Sequence, residues 1–323
     1  LGIAVHNYYD THNSLPSHSN TLPKVSKEIN GGVFVALLPF LEEENTYEET
    51  QHTLHSPREF PVQTDTSIVW LRRITAYICP SDNGQQVSAN LYAPNNYLVS
   101  MGDWADQWED DPSAPSQPLN SRGAFPAYNG GTKDFAAVTD GLSNTLVFSE
   151  RLIGRANDVY DAKVGIASGF ALNGLNVTPE QILNAAPGGR FSEATYAFTP
   201  SADGGGASGN RVNDDGGAFW GIGSRFTRYN LFSTILPPNS PGASHQNPNG
   251  RHLIPPSSRH TGGVNVSRFD GSVIFVNDTI SCKTSGITPD AFAQKLKNNT
   301  GTSLYGVWGA LGSINQGEAN ATP

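Results

Sequence analysis

His260 and Asp270 are the residues of this chain whose types most readily suggest chemistry. Histidine and aspartate are common partners in proton transfer, and both ligate metals. Their surroundings argue against a dyad. Val264, Val266 and Arg268 alternate with Asn265, Ser267 and Phe269, and after Asp270-Gly271 the chain continues Ser272, Val273, Ile274, Phe275, Val276. Asp-Gly between two such runs is a strong hairpin signal, because the turn needs residues that accept positive φ. A strand advances ~3.3 Å per residue, so His260 and Asp270 lie on the order of 20 Å or more apart. With Asp270 and Gly271 as a two-residue loop, Phe269 faces Ser272, Val266 faces Phe275 and Val264 faces Asn277. Val264, Val266, Val273 and Phe275 then form the buried face. Asp270 and Gly271 are assigned to the turn. His260 is assigned a hydrogen-bonded structural role near Gly262-Gly263.

The other chemical candidates are separate from this stretch. His6 and Asp10 share a helical face, with His12 nearby, but no third ligand stands at a fixed spacing. A helix-end hydrogen-bond network is expected there. Asp214-Asp215 resembles part of a Ca²⁺ loop without its alternating acids and terminal Glu. Asp103 and Asp106, beside Trp104 and Trp108, could converge on Ca²⁺ or hold a sugar; an insertion packed by its own tryptophans explains the same residues. These four acids are the metal candidates, and no cofactor other than Ca²⁺ is expected. Asp140, Gly141, Ser143 and Asn144 look like a catalytic cluster. However, there is no G-x-S-x-G elbow and no nearby His, so Asp140, Gly141 and Asn144 read as a turn that holds backbone groups. A strand ending near Glu150 follows. No catalytic residue is assigned, and the chain is not read as an enzyme. Cys79 and Cys282 could close one long-range disulfide or stay as two buried thiols.

The elements that must position these residues are short. Gly 34 and Pro 22 in 323 residues, with only 15% charged residues, leave few long helices and many turns. Residues 1–12 read as a helix ended by Asn13, Ser14 and Pro16. Residues 32–49 read as a second helical stretch that Pro39 must break. Residues 74–82 read as a strand entering a turn, and residues 102–126 as a long surface loop. Thr288 reads as an N-cap with Pro289 at the first helical position. A net charge of −9 with no Lys/Arg cluster beyond Arg72-Arg73 excludes a nucleic-acid or anionic-membrane footprint. No apolar run reaches the ~20 residues that a membrane span needs. The expected fold class is α+β: an N-terminal helix packed on a predominantly antiparallel β-sheet with long Gly/Pro-rich loops.

Several motifs together resemble the bacterial prepilin-type processing-associated H-x9-DG family, also described as an extracellular solute-binding family of unknown function. They are His260, Gly263 and Asp270-Gly271; Gly2 to Asn13 with Pro16; Cys79-Pro80-Ser81-Asp82; Asn95-Asn96-Tyr97; Thr139-Asp140-Gly141 through Asn144 to Glu150; Ser233 to Pro241; and Val307 to Gly312 with Gly317-Glu318. The resemblance implies that residues 1–16 are the end of a pilin-like helix. Residues 17–323 then form one β-rich domain with insertions near 103–125 and 155–215. It implies a structural subunit of an extracellular filament or cell-surface assembly, a homopolymer of this chain. An extracellular carbohydrate- or solute-binding module with glycan contact, assisted by Ca²⁺, is the alternative. Membrane attachment is expected only through an upstream hydrophobic helix that relatives carry and this sequence does not include. Gly242 and Ala243 stand where the family often has a Cys, which leaves Cys282 as the one partner for Cys79.

Overall fold

The computed structural model describes residues 1–18, 31–52, 68–82, 92–105, 122–125, 133–155, 157–170, 172, 177–199, 210–213, 216–223, 227–245, 251–297 and 300–317. Its helices are α1 (Gly2–His12), α2 (Val33–Leu37), α3 (Glu44–His52), α4 (Pro179–Leu183), α5 (Thr227–Asn230), α6 (Pro289–Lys297) and α7 (Gly306–Gly312). Its strands are β1 (Tyr97–Ser100), β2 (Leu146–Glu150), β3 (Ile166–Ser168), β4 (Ala197–Thr199), β5 (Arg211–Asn213), β6 (Leu231–Phe232), β7 (Gly242–Ser244), β8 (His252–Leu253), β9 (Gly263–Arg268) and β10 (Val273–Asn277). They form two sheets, ordered β10-β9-β2-β1-β6 and β4-β5-β3-β7-β8. The first sheet is antiparallel except where β6 joins β1. The fold is α+β, and none of the described helices is long and apolar enough to cross a membrane.

The central strands of the first sheet are covered on both faces, and the side-chain period of two assigns their residues. Val99 and Phe148 pack with Val5, Phe34 and Tyr77 under α1 and α2. Leu98, Leu146, Val264 and Val266 face the other way, against Trp308 and Leu311 of α7. A register shift between Leu146 and Phe148 marks a bulge, which lets Val147 and Phe148 both face the α1 side. Each such fully buried large side chain contributes roughly 1.5–3 kcal/mol. Trp308 also places its one polar atom, donating Nε1–H to the Leu236 carbonyl at 2.8 Å.

Local chemistry explains the helix ends. Asn13 closes α1 at φ 53, donating its N–H to the Tyr9 carbonyl. Pro39 ends α2 by forcing the tighter turn Leu38–Leu41. The Thr288 hydroxyl accepts from Ala291 N at the start of α6. Two expectations fail here. Residues 74–82 are not a strand but a single 3-10 turn, Thr75–Tyr77, leading into the Pro80 turn. The described ends of the 103–125 insertion are not surface loop, since Trp104, Ala105, Ala124 and Phe125 are all buried.

The hairpin corrects a further expectation. Ser267 pairs with Val273, Val266 with Ile274 and Val264 with Val276. The loop is therefore three residues, Phe269-Asp270-Gly271, closed by Gly271 N donating to the Arg268 carbonyl and Arg268 N to the Ser272 carbonyl. Only Gly271, at φ 82, needs the left-handed region. The one-residue slip reverses β10. Ile274 and Val276 join Val264 and Val266 in the core, while Val273 and Phe275, expected inside, are 66% and 50% exposed.

Candidate functional site

Glu150 ends β2 and collects most of the sequence motifs around its carboxylate. Asn265, on the neighbouring strand β9, donates its backbone N–H to Glu150 Oε2 at 2.8 Å and its side-chain amide to Oε1 at 3.1 Å. His260 Nε2 lies 3.1 Å from Oε1. The Cys79 thiol lies 3.9 Å from the same oxygen. The sulfur, the imidazole nitrogen and the carboxylate oxygen fall within 4.8 Å of one another. Cys79 and Glu150 are buried, and the His260 side chain is 32% exposed.

Each of these side chains is held from behind. Cys79 N donates to Asn96 Oδ1 at 3.0 Å, and Asn96 Nδ2 donates to Asp82 at 2.8 Å and to the Arg151 carbonyl at 2.9 Å. Asp82 also accepts from Ile153 N and pairs with Arg155 at 2.7 Å. His260 N donates to Ser258 Oγ at 3.1 Å, and Ser258 Oγ donates to the Gly263 carbonyl at 2.7 Å. Asn239 accepts from Ser258 N at 2.9 Å and donates to the Gly263 carbonyl and to Asp278. Tyr97 pairs across the strands with Glu150. Burial, and then the neighbouring Cys79 and Glu150, push its phenol up to about 12. A cavity of about 360 Å³ opens beside the cluster, lined by Leu1, Tyr97, Phe148, Glu150, Asn265 and Val273.

This arrangement is convergent rather than serial. A nucleophilic triad passes hydrogen bonds from nucleophile to base to orienting acid, using both imidazole nitrogens. Here Cys79 and His260 both face one oxygen of Glu150. Donors of three kinds around one point suit metal ligation better than proton relay.

The opposite end of β2 is built differently. Asp140 Oδ2 accepts from Ser313 Oγ at 3.1 Å and Gln316 N at 2.9 Å, and Oδ1 accepts from Gly317 N at 2.8 Å. Asn144 donates to the Asp140 carbonyl at 3.0 Å, and Gly141 turns the chain at φ 100. Phe269 N donates to the Thr145 carbonyl and Asp270 N to the Leu142 carbonyl, which anchors the hairpin loop there. Asp270 Oδ1 accepts from Ser272 N and Oγ, at 2.9 and 2.6 Å. His260 and Asp270 thus serve opposite ends of β2.

Other expectations need correction. Asp103 is fully buried in an ion pair with Arg122 rather than exposed on a loop, and Trp104 packs in the core beside Ile235 and Tyr305. Asp106, Trp108, Asp214 and Asp215 lie outside the described residues. His6 Nε2 sits 2.7 Å from the Phe269 carbonyl, tying α1 to the hairpin loop. The Cys79–Cys282 disulfide is not formed: both thiols are free, and Cys282 Sγ faces the Ile235 carbonyl at 3.6 Å. Sequence reasoning left His260 without a named partner. Glu150 lies 110 residues away, and no periodicity reports such a contact. The available signal was indirect: Cys79, Glu150 and His260 each sit inside a separate recognisable motif.

A family model described as "Protein of unknown function (DUF1559)", short name SBP_bac_10, matches residues 1–282. Comparison with the curated proteins finds no match, and comparison with the solved structures finds none.

Proposed function

The chain belongs to the DUF1559 family, and from that premise we propose that it is a structural subunit of an extracellular pilin-like filament or cell-surface assembly, joined to further copies of itself along β10. The observation that carries this reading is the state of that strand. β10 is the outermost strand of its sheet, and among the described residues its outer edge pairs with no strand. Val273 and Phe275 stand exposed on one side of it. Natural edge strands are usually blunted by Lys, Pro or a bulge, and the sequence Val-Ile-Phe-Val-Asn has none of these. A second copy adding its own strand would continue the ladder and cover both apolar side chains. Light scattering on a concentration series, with negative-stain electron microscopy, tests this. Oligomers that grow with concentration are expected, and Phe275→Lys should abolish them while moving stability by less than ~0.5 kcal/mol. A wild-type protein that stays monomeric at high concentration would remove the reading.

A second reading, binding of a small extracellular solute such as a glycan, rests on the cavity beside Glu150. Its volume of about 360 Å³ lies near the lower end of the range of small-molecule sites. A thermal-shift screen with glycans checks it, with Asn265→Ala expected to remove any shift.

A further inference from the structure

We propose that Cys79, Glu150 and His260 bind one divalent transition metal of the zinc class. The proposal does not depend on self-assembly. A thiolate, an imidazole and a carboxylate are the donors zinc takes, whereas Ca²⁺ takes oxygens. The spacing is close to what is needed. Zinc bonds of about 2.0–2.3 Å place tetrahedral donors roughly 3.3–3.6 Å apart. Glu150 Oε1 lies 3.1 Å from His260 Nε2 and 3.9 Å from Cys79 Sγ, and no pair of donors exceeds 4.8 Å. Small side-chain rotations close the remaining gap.

The surroundings are those of a ligand set. Asn265 holds both carboxylate oxygens, its N–H on Oε2 and its side-chain amide on Oε1, and so fixes Oε1 facing the sulfur and the imidazole. Asn96 fixes the Cys79 backbone and Ser258 the His260 backbone, so all three donors are oriented by fixed partners. The nearby arginines are engaged elsewhere. Arg151 donates to the Pro255 and Val164 carbonyls, Arg155 pairs with Asp82, and Arg259 pairs with Asp158. A purely structural role for Glu150 would be met by Asn265 alone. It gives no reason for a thiol and an imidazole to face the same oxygen. His260 is the partly exposed member, so it offers the entry path and leaves a fourth position for water or an outside ligand. On binding, the thiol proton leaves to solvent and the ion takes its place between the three donors.

The test is titration of the purified protein with zinc chloride by calorimetry, and with cobalt chloride by absorption spectroscopy. One equivalent per chain is expected, with a thiolate-to-cobalt charge-transfer band and tetrahedral cobalt bands in the visible. Cys79→Ser should remove the charge-transfer band, and His260→Ala should weaken zinc binding at least ~10-fold. Because His260 is partly exposed, the His260→Ala protein folds even if substitution at Cys79 disturbs packing, and circular dichroism verifies this. Cobalt spectra without a thiolate band would overturn the proposal. So would zinc binding of unchanged affinity in folded His260→Ala protein.

Discussion

The two ends of β2 use the same kind of group in opposite ways. At its start, Asp140 is a buried carboxylate that accepts from one hydroxyl and two backbone N–H groups, all supplied by the segment after α7. At its end, Glu150 is a buried carboxylate whose Oε2 accepts one backbone N–H, while Oε1 takes the Asn265 side-chain amide and faces a thiol and a partly exposed imidazole. Backbone donors cannot leave, so the Asp140 end is a clasp that ties the C-terminal segment to the turn on which the hairpin loop is also anchored. Side chains of differing softness around one oxygen can exchange a hydrogen bond for an ion. The difference teaches that family-like residues divide by the mobility of their partners rather than by their own chemical type.

The largest expected effect sets a baseline that belongs to neither end. His18 is completely buried, and burial lowers its imidazole from 6.5 to about 3. The unfolded chain therefore binds a proton that the folded chain refuses. Its contribution to stability is complete above about pH 6.5 and is lost as the pH falls toward 3, on the order of 5 kcal/mol in all. Urea melts between pH 7 and 4 should show this fall, and His18→Gln should flatten it. Next is Asp140→Ala, which removes the acceptor of the buried Ser313 hydroxyl and of the part-buried N–H groups of Gln316 and Gly317, and should cost about 2 kcal/mol. Chemical denaturation checks the loss, and zinc should not restore it. Gly271→Ala is smaller. A Cβ there meets nothing within 4 Å, so only the left-handed φ of 82 opposes it, at about 1 kcal/mol. The same melts measure it, and zinc affinity should stay unchanged, because the turn serves the clasp and not the cluster.

Much of this organisation was legible from residue type. Pro39 breaking the second helix, Thr288 capping α6, and the separation of His260 from Asp270 all follow from local rules that need no partner. The hairpin was legible in place but not in register. Val273, Ile274, Phe275 and Val276 are all apolar, so no alternation tells inside from outside, and Asp-Gly suits a three-residue loop as well as a two-residue one. Residues 74–82 resembled a strand through their apolar content, yet among the described residues no strand pairs with them. The Glu150 cluster was not legible, because its members lie far apart in the chain and only the pairing of β2 with β9 and β1 brings them together.

Thermal denaturation of the His260→Ala and Asp140→Ala proteins, side by side and with or without zinc chloride, tests this division most directly. His260→Ala leaves Glu150 Oε1 still bonded to Asn265 and should cost only about 1 kcal/mol without zinc. It should then lose the rise in melting temperature that zinc gives the wild type. Asp140→Ala should melt lowest and keep that rise. A His260→Ala protein that falls as far as Asp140→Ala, or one that zinc stabilises as much as the wild type, would contradict the account.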